Sequence, residues 1–449
     1  MIPNTWRGHE VAVVGLGRSG VAATKLLARE GVRVYASDRA AQVPGGPDLA
    51  ALRALAGVEV EVGQHDIARI ARAVALVVSP GVPPNAPPLE AAGRAGVPIL
   101  SELDLGFTAL PGTRCIAVTG TNGKTTTTAL VAHLLRAAGM RAEAAGNIGR
   151  PLSEAAVAAP PFQWLAVEAS SFQLHDSPHF SPDIGVLTNL APDHLDRYAS
   201  VEEYYADKRL LFRNASARQV WVLNGDDTAV LDLAGGAAGR VVRFSLRGRA
   251  DGWYDAAKQC LRLGNSDLIP RAALPLLGAH NVANALAAAL AAQAAAVTIS
   301  DISKGLRSFQ ALPHRLEPVG EVNGVLWIND SKATNIASTV VAIEAMERPF
   351  VLLLGGRHKG EPYTRLAPLL KARCRLVIAY GEAGPLVEGD LKGKVPLELG
   401  TTFEDVMGRA RRAAKPGDAV LLSPACSSYD MFTNYEERGG MFRRLVAQQ

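Results

Sequence analysis

The segment Val118-Thr-Gly-Thr-Asn-Gly-Lys-Thr-Thr-Thr-Thr128 constrains the fold more than any other stretch. An apolar run from Cys115 to Val118 leads into a glycine-rich turn, then a lysine, consecutive threonines and a helical pattern. That order predicts a strand, a phosphate-binding loop and a helix. Glycines let backbone N–H groups close around phosphate oxygens, and the helix N-terminus adds a favourable dipole. Lys124 is expected to reach the outer phosphates, and the Thr125 hydroxyl to hold a Mg²⁺ ion. The usual spacing places a further glycine five residues before Gly123, where this chain has Val118. Its nearest glycine is Gly120, so the loop is a compact variant.

A chain of 449 residues exceeds one hydrophobic core, and two to four domains, roughly, are expected. A hydrophobic fraction of 48% lets each domain bury a core. Lys plus Arg number 47 against 43 for Asp plus Glu, too small an excess to point to nucleic acid or a membrane surface as the main partner. The cysteines, Cys115, Cys260, Cys374 and Cys426, form no CxxC pair, which argues against structural zinc and a disulfide framework. The polar N-terminus carries no tripartite export signal. The longest apolar stretch, Ala283 to Val297, is Ala-rich, interrupted by Gln293 and too short to span a bilayer. A soluble cytoplasmic protein is expected.

Apolar runs of strand length alternate with helical patterns, which predicts parallel sheets with crossover helices. One unit has strands Glu10 to Val14, Val32 to Ala36 and Ala75 to Ser79. A second has the strand before the phosphate loop, then Trp164 to Glu168, Ile184 to Thr188 and Val220 to Asn224. Residues 240 to 275 read as short antiparallel strands, followed by an Ala-rich helix from about Asn281. Ala311 to Arg315 reads as a linker, because proline disfavours helix continuation. The last unit has strands Val325 to Asn329, Phe350 to Leu354, Leu376 to Tyr380 and Ala419 to Ser423.

Gly15-Leu-Gly-Arg-Ser-Gly20 matches GxGxxG between a strand and a helix, with Asp38 at the end of the next strand. The motif is compatible with an NAD(P) site, with a UDP-sugar or similar diphosphate, or with a turn that merely packs a helix on a sheet. In the second unit Glu168 and Asp193-His194 follow strands, whose carboxyl ends line one crevice in an open parallel sheet. Thr125, Glu168 and His194 are thus candidates to meet around Mg²⁺, an ion that favours oxygen donors. Lys208, in Tyr204-Tyr-Ala-Asp-Lys208, reads from residue physics alone as a surface helix lysine.

These residues, in this order, resemble the Mur ligases, ATP-dependent amide-forming enzymes of peptidoglycan precursor synthesis. The loop Thr119 to Thr125, the glutamate, the Asp-His pair and Lys208 match the family's central-domain pattern. His280-Asn281-Val-Ala-Asn284, Arg315 and Asp330-Ser331-Lys332 match its later elements. The resemblance covers essentially the whole chain. Ser423-Pro-Ala-Cys-Ser-Ser428 and Tyr435-Glu-Glu-Arg-Gly439 look most like the D-glutamate-adding members.

The resemblance implies an α/β chain of three domains. These are a Rossmann-like N-terminal domain over 1–110 for a UDP-linked substrate, a central P-loop ATPase-like parallel-sheet domain over 111–312, and a Rossmann-like C-terminal domain over 313–449 for the amino acid. Implied ATP contacts are Gly120, Thr121, Asn122, Gly123, Lys124, Thr125, Thr126, Asn281, Asn284, Arg315 and Asp330. Implied catalytic and metal groups are Lys124, Thr125, Glu168, His194 and Lys208, with Lys208 carbamylated and two Mg²⁺ ions held. Ser19, Asp38, Arg39 and Asn147 are implied to hold the UDP substrate, UDP-N-acetylmuramoyl-L-alanine. Lys332, Thr334, Lys359 and Ser428 are implied to hold the D-glutamate carboxylates. A monomer with small-molecule substrates, no nucleic acid and no membrane insertion completes the expectation.

Overall fold

The computed structural model describes residues 2–43, 49–110, 112–194 and 197–448. It contains three sheets among these residues, each built around parallel strands. Strands buried on both faces read as continuous apolar runs, and here Val11 to Val13, Cys115 to Val118 and Val351 to Leu354 are fully buried. The chain divides into two compact units, residues 1–274 with 283–308, and residues 275–282 with 309–449.

The first unit holds two sheets. One has the spatial order Val58–Val62, Arg33–Asp38, Glu10–Val14, Ala75–Val78, Ile99–Ser101, all parallel. The other is nine-stranded, and its phosphate-loop strand Arg114–Thr119 lies between Trp164–Glu168 and Ile184–Leu187. Side chains tie the two sheets together. Arg197 donates to the carbonyls of Pro80 and Val82, and its guanidinium lies 3.9 Å over the Phe172 ring. Buried Asp104 accepts from the His179 backbone N–H at 2.9 Å, and its other oxygen lies 2.8 Å from the His179 ring. Gly106 has no room for a side chain, since a Cβ there would meet the Ser153 nitrogen at 2.5 Å.

The second unit holds a sheet ordered Glu317–Val322, Val325–Asn329, Ala419–Leu422, Phe350–Gly355, Cys374–Tyr380, Leu397–Leu399. The first pair is antiparallel and the rest are parallel. Apolar clusters cover both faces, one around Leu352, Leu421 and Ile328, the other around Trp327, Phe442 and Ile378.

Several strands escaped the sequence reading: Val58–Val62, Ile99–Ser101, Ala142–Gly146, Glu317–Val322 and Leu397–Leu399. All occupy sheet edges, where one neighbour is missing. The stretch 240–275 also differs from expectation. Arg240–Ser245 and Gly252–Asp255 continue the parallel order, and only the hairpins through Cys260–Leu263 and Ser266–Pro270 run antiparallel. The Ala-rich helix spans Ala279–Ala294. His314 and Leu316, in and beside the expected linker, adopt positive φ of 65° and 42°. No helix among the described residues is long and apolar enough to cross a membrane.

Candidate active site

The phosphate loop leaves the strand Arg114–Thr119 and enters the helix Lys124–Ala137, capped by Gly123 at φ 81°. Gly120 has φ 136°, and a Cβ there would lie 2.0 Å from the Thr188 hydroxyl oxygen. At Gly123 a Cβ would lie 2.3 Å from Asn284 Oδ1. Both positions therefore need glycine for conformation and for space. The loop is held from the neighbouring strand exit. Asn189 accepts from the Asn122 N–H at 2.9 Å and donates to its carbonyl at 3.0 Å, while Thr188 donates to that carbonyl at 2.7 Å. The Thr121 N–H donates to the Asn189 carbonyl at 2.8 Å. A cradle fixed this way is set before any phosphate arrives.

Two lysines converge on one backbone oxygen of that cradle. Lys124 Nζ donates to the carbonyls of Gly120 at 3.0 Å and Thr121 at 2.7 Å. Lys208 Nζ donates to the same Gly120 carbonyl at 2.8 Å. Lys208 is only 1% exposed and its ammonium lies 4.5 Å over the Tyr204 ring. Burial, and then the nearby Lys124 charge, hold its pKa well below the usual lysine value. The surface-lysine reading is thus corrected: the side chain turns inward from the helix Val201–Arg209 and packs under the loop.

Glu168 ends its strand almost fully buried. Its Oε1 accepts from Asn147 Nδ2 at 2.8 Å, and its Oε2 has no hydrogen-bond partner. A buried carboxylate oxygen left alone is costly, so this atom calls for a cation. His194 adopts φ 55°, leaves its side chain 43% exposed, and sets its ring edge-on to Phe172 at 5.2 Å. No cluster of three His, Cys, Asp or Glu side chains suited to a metal occurs among the described residues. The donors that fit Mg²⁺ are the orphan Glu168 oxygen and the Thr125 hydroxyl at the first turn of the loop helix. Hard oxygen donors of this kind suit Mg²⁺.

The N-terminal motif opens on a separate cavity of about 840 Å³. Gly15, Gly17, Arg18, Ser19, Asp38 and Arg39 line it. A Cβ on Gly20 would lie 1.8 Å from the Gly15 carbonyl oxygen, so part of the glycine pattern serves helix packing. Both Asp38 oxygens accept backbone N–H groups, from Leu16 at 2.7 Å and Ala40 at 2.8 Å. Asp38 thereby fixes the turn, which weakens the dinucleotide reading of the motif. Asn147 lies elsewhere, on the Glu168 carboxylate. His65 and Asn85 also line the cavity, and sequence reasoning missed both. Only proximity in space marks them, although His65 sits 2.9 Å from the Ser37 hydroxyl.

In the second unit Asp330, Lys332, Thr334, Lys359 and Ser428 follow the exits of three adjacent parallel strands, where ligands bind in open α/β sheets. Asp330, at the exit of Val325–Asn329, accepts from the Leu316 N–H at 3.1 Å and from the Ser423 hydroxyl at 2.9 Å. Burial pushes its pKa up to about 7. Lys332 Nζ lies 5.1 Å over the Tyr435 ring. Lys359 donates to the Thr334 hydroxyl at 3.4 Å, and Ser428 is buried with its carbonyl accepting from Met431 and Phe432. Asn281 donates to the Leu277 carbonyl at 2.8 Å. Arg315 lies in the turn entered after Leu312, and its N–H donates to that residue's carbonyl.

Comparison with known proteins agrees with this organisation. Residues 9–101 match the model of the Mur ligase MurD-like N-terminal domain, 118–292 that of the Mur ligase middle domain, and 314–426 that of the Mur ligase glutamate ligase domain. A relative from Salinibacter ruber named UDP-N-acetylmuramoylalanine–D-glutamate ligase is 43% identical over 464 residues, covering 99% of each chain. One of the same name from Acidobacterium capsulatum is 40% identical over 447 residues, covering 98% of this chain and 96% of the relative. Among solved structures, the UDP-N-acetylmuramate-alanine ligase of Thermotoga maritima superposes with a TM-score of 0.62 at 18% identity, covering 98% of this chain and all of the other. A pseudomurein peptide ligase type C from Methanothermus fervidus gives 0.60 at 19% identity, covering 98% and 99%. At those identities the structures establish the fold.

Proposed function

Because this chain belongs to the Mur ligase family, we propose that it is an ATP-dependent ligase joining D-glutamate to UDP-N-acetylmuramoyl-L-alanine, with release of ADP and phosphate, in peptidoglycan precursor synthesis. The observation that carries the reading is the phosphate cradle whose Gly120 carbonyl receives both Lys124 and the buried Lys208, beside a buried Glu168 oxygen that lacks a partner. That arrangement suits activation of a carboxylate by a nucleoside triphosphate. The division into domains over 1–110, 111–312 and 313–449 is part of the same proposal, as are the cytoplasmic setting and the monomeric state.

A carboxylate is a poor electrophile and repels a polyphosphate. In the proposed reaction the L-alanine carboxylate oxygen attacks the γ-phosphorus, the bond to the β-phosphate oxygen breaks, and ADP leaves. The D-glutamate amine then attacks the acyl carbon and loses a proton, and the carbon–oxygen bond to phosphate breaks. Phosphoryl transfer depends mainly on positioning and charge neutralisation. The loop N–H groups of residues 120 to 126 hold phosphate oxygens, and Lys124 brings positive charge to the transferred group. Asn281, Asn284, Arg315 and Asp330 are assigned to the nucleoside. Thr125, Glu168, His194 and a carbamylated Lys208 would hold two Mg²⁺ ions, which would supply further charge neutralisation. Ser19, Asp38, Arg39 and Asn147 are assigned to the UDP substrate, and Lys332, Thr334, Lys359 and Ser428 to the D-glutamate carboxylates.

Lys208 is suited to carbamylation. Burial and the nearby Lys124 charge favour its neutral amine, and a neutral amine attacks CO₂ to give a carbamate and one proton. The change replaces a donor that crowds Lys124 with an anionic oxygen ligand.

An amino-acid panel tests the assignment. With ATP, Mg²⁺ and UDP-N-acetylmuramoyl-L-alanine, ADP release is expected with D-glutamate, and at most a few per cent of that rate, roughly a 2 kcal/mol discrimination, with L-glutamate, D-alanine or diaminopimelate. Faster turnover with any of those others would overturn the substrate assignment.

A further inference from the structure

Arg438 is fully buried in the C-terminal helix Tyr435–Ala447, with a guanidinium whose described partners are all oxygens of neutral groups. Its Nε donates to the Ser331 hydroxyl at 2.9 Å, and its Nη2 donates to the carbonyls of Ser331 at 2.8 Å and Cys426 at 3.1 Å. Nη1 makes no close hydrogen bond, and the buried Tyr380 hydroxyl faces the same guanidinium. Taking a guanidinium fully out of water is costly, so a fold that keeps one needs what it holds.

What it holds is specific. Ser331 sits between Asp330 and Lys332, and its hydroxyl donates in turn to the Tyr435 carbonyl at 2.8 Å. Cys426 belongs to the turn that carries Ser428. The third strand exit packs on the same group: at Gly356, φ 130°, a Cβ would lie 3.2 Å from Arg438 Nη1 and 2.3 Å from the Ser427 carbonyl oxygen. Lys359 follows from that exit, and Arg357 N–H donates to the Ser427 carbonyl at 2.8 Å. One buried side chain therefore bonds the turns that carry Lys332 with Thr334 and Ser428, and lies against the turn that leads to Lys359.

We propose that Arg438 is a positioning residue for the amino-acid substrate: its planar fork fastens the Ser331 turn to the Cys426 turn, and so sets the spacing of the cationic and hydroxyl groups that receive the two carboxylates. The inference rests on the D-glutamate reading above. Lysine has one nitrogen and no fork, so it keeps the charge and loses the bridge. The role differs from substrate contact, because the guanidinium is fully buried.

Steady-state kinetics of Arg438→Lys, Arg438→Ala and Ser331→Ala test it, with thermal melts run alongside. Arg438→Lys is expected to raise the KM for D-glutamate about tenfold or more, with the KM for the UDP substrate within about twofold. Arg438→Ala is expected to do the same, and millimolar guanidinium to lower the KM again. Ser331→Ala removes one arm of the fork, and a rise of about threefold is expected. An unchanged D-glutamate KM in Arg438→Lys overturns the inference, as does a uniform loss across all substrates without guanidinium rescue. If Arg438→Ala fails to fold, the lysine and serine variants decide. Wild-type protein that releases no ADP with D-glutamate refutes the functional reading; active wild type with unaltered variants refutes only the role of Arg438.

Discussion

Lys208→Ala is expected to lower turnover about a thousandfold, near 4 kcal/mol of lost transition-state stabilisation. Formate or acetate should restore a measurable part of it, and methylamine should restore none. The expectation follows from three features of Lys208. It is buried at 1% exposure, its Nζ lies 2.8 Å from the Gly120 carbonyl, and burial with the Lys124 charge keeps its pKa well below normal. If the working group is a carbamate, a small carboxylate diffusing into the cavity left by alanine replaces the lost oxygen donor. If the working group is the amine itself, a small amine does so instead. Depleting CO₂ from the wild-type assay should reduce the rate in the same direction, and bicarbonate should recover it. The melting temperature of the variant separates lost chemistry from lost fold. Rescue by methylamine, or activity within tenfold of wild type, would contradict the carbamate.

Lys124→Met is expected to cost about a thousandfold or more in kcat, with a smaller rise in the KM for ATP, because charge on the transferred phosphoryl group grows in the transition state. Lys124 is the cationic side chain at the start of the loop helix, and its Nζ already lies on the loop carbonyls of Gly120 and Thr121. A second effect compounds the first. The Lys124 charge, with burial, holds the Lys208 pKa low. Removing its charge lets Lys208 hold a proton to higher pH, which leaves less neutral amine for CO₂. The activity of the variant should therefore depend more steeply on bicarbonate and on raised pH than that of wild type. Carboxylates should not rescue it, since Lys208 still fills its cavity. Turnover within tenfold of wild type would remove Lys124 from the proposed role.

Much of this architecture is legible in the residues. Cys115 to Val118, Phe350 to Leu354 and Ala419 to Leu422 are central parallel strands, and burial on both faces makes them continuous apolar runs. The edge strands were harder. Ala142–Gly146 consists of poor strand formers and is strand because it pairs with Trp164–Glu168. Val58–Val62 alternates Val and Glu, the period of a half-buried edge strand.

Within the site, local motifs were legible and long-range packing was not. The phosphate loop is written in neighbouring residues. Lys208 reaches the Gly120 carbonyl across 88 positions, and its polar helix gives no hint that the lysine turns inward. Asp38 reads as a ribose ligand, and each of its oxygens also accepts a backbone N–H of the turn it stabilises. Arg438 lies in a run of charges that looks solvent-facing, and is fully buried.

The central claim is that ATP activates a substrate carboxylate by phosphorylating it. The most direct test uses UDP-N-acetylmuramoyl-L-alanine labelled with ¹⁸O in its carboxylate, turned over with ATP, Mg²⁺ and D-glutamate, with the released phosphate analysed by mass. Transfer of the γ-phosphoryl group to that oxygen is expected to leave one label in each phosphate, alongside ADP. Unlabelled phosphate, or AMP and pyrophosphate as products, would contradict the account.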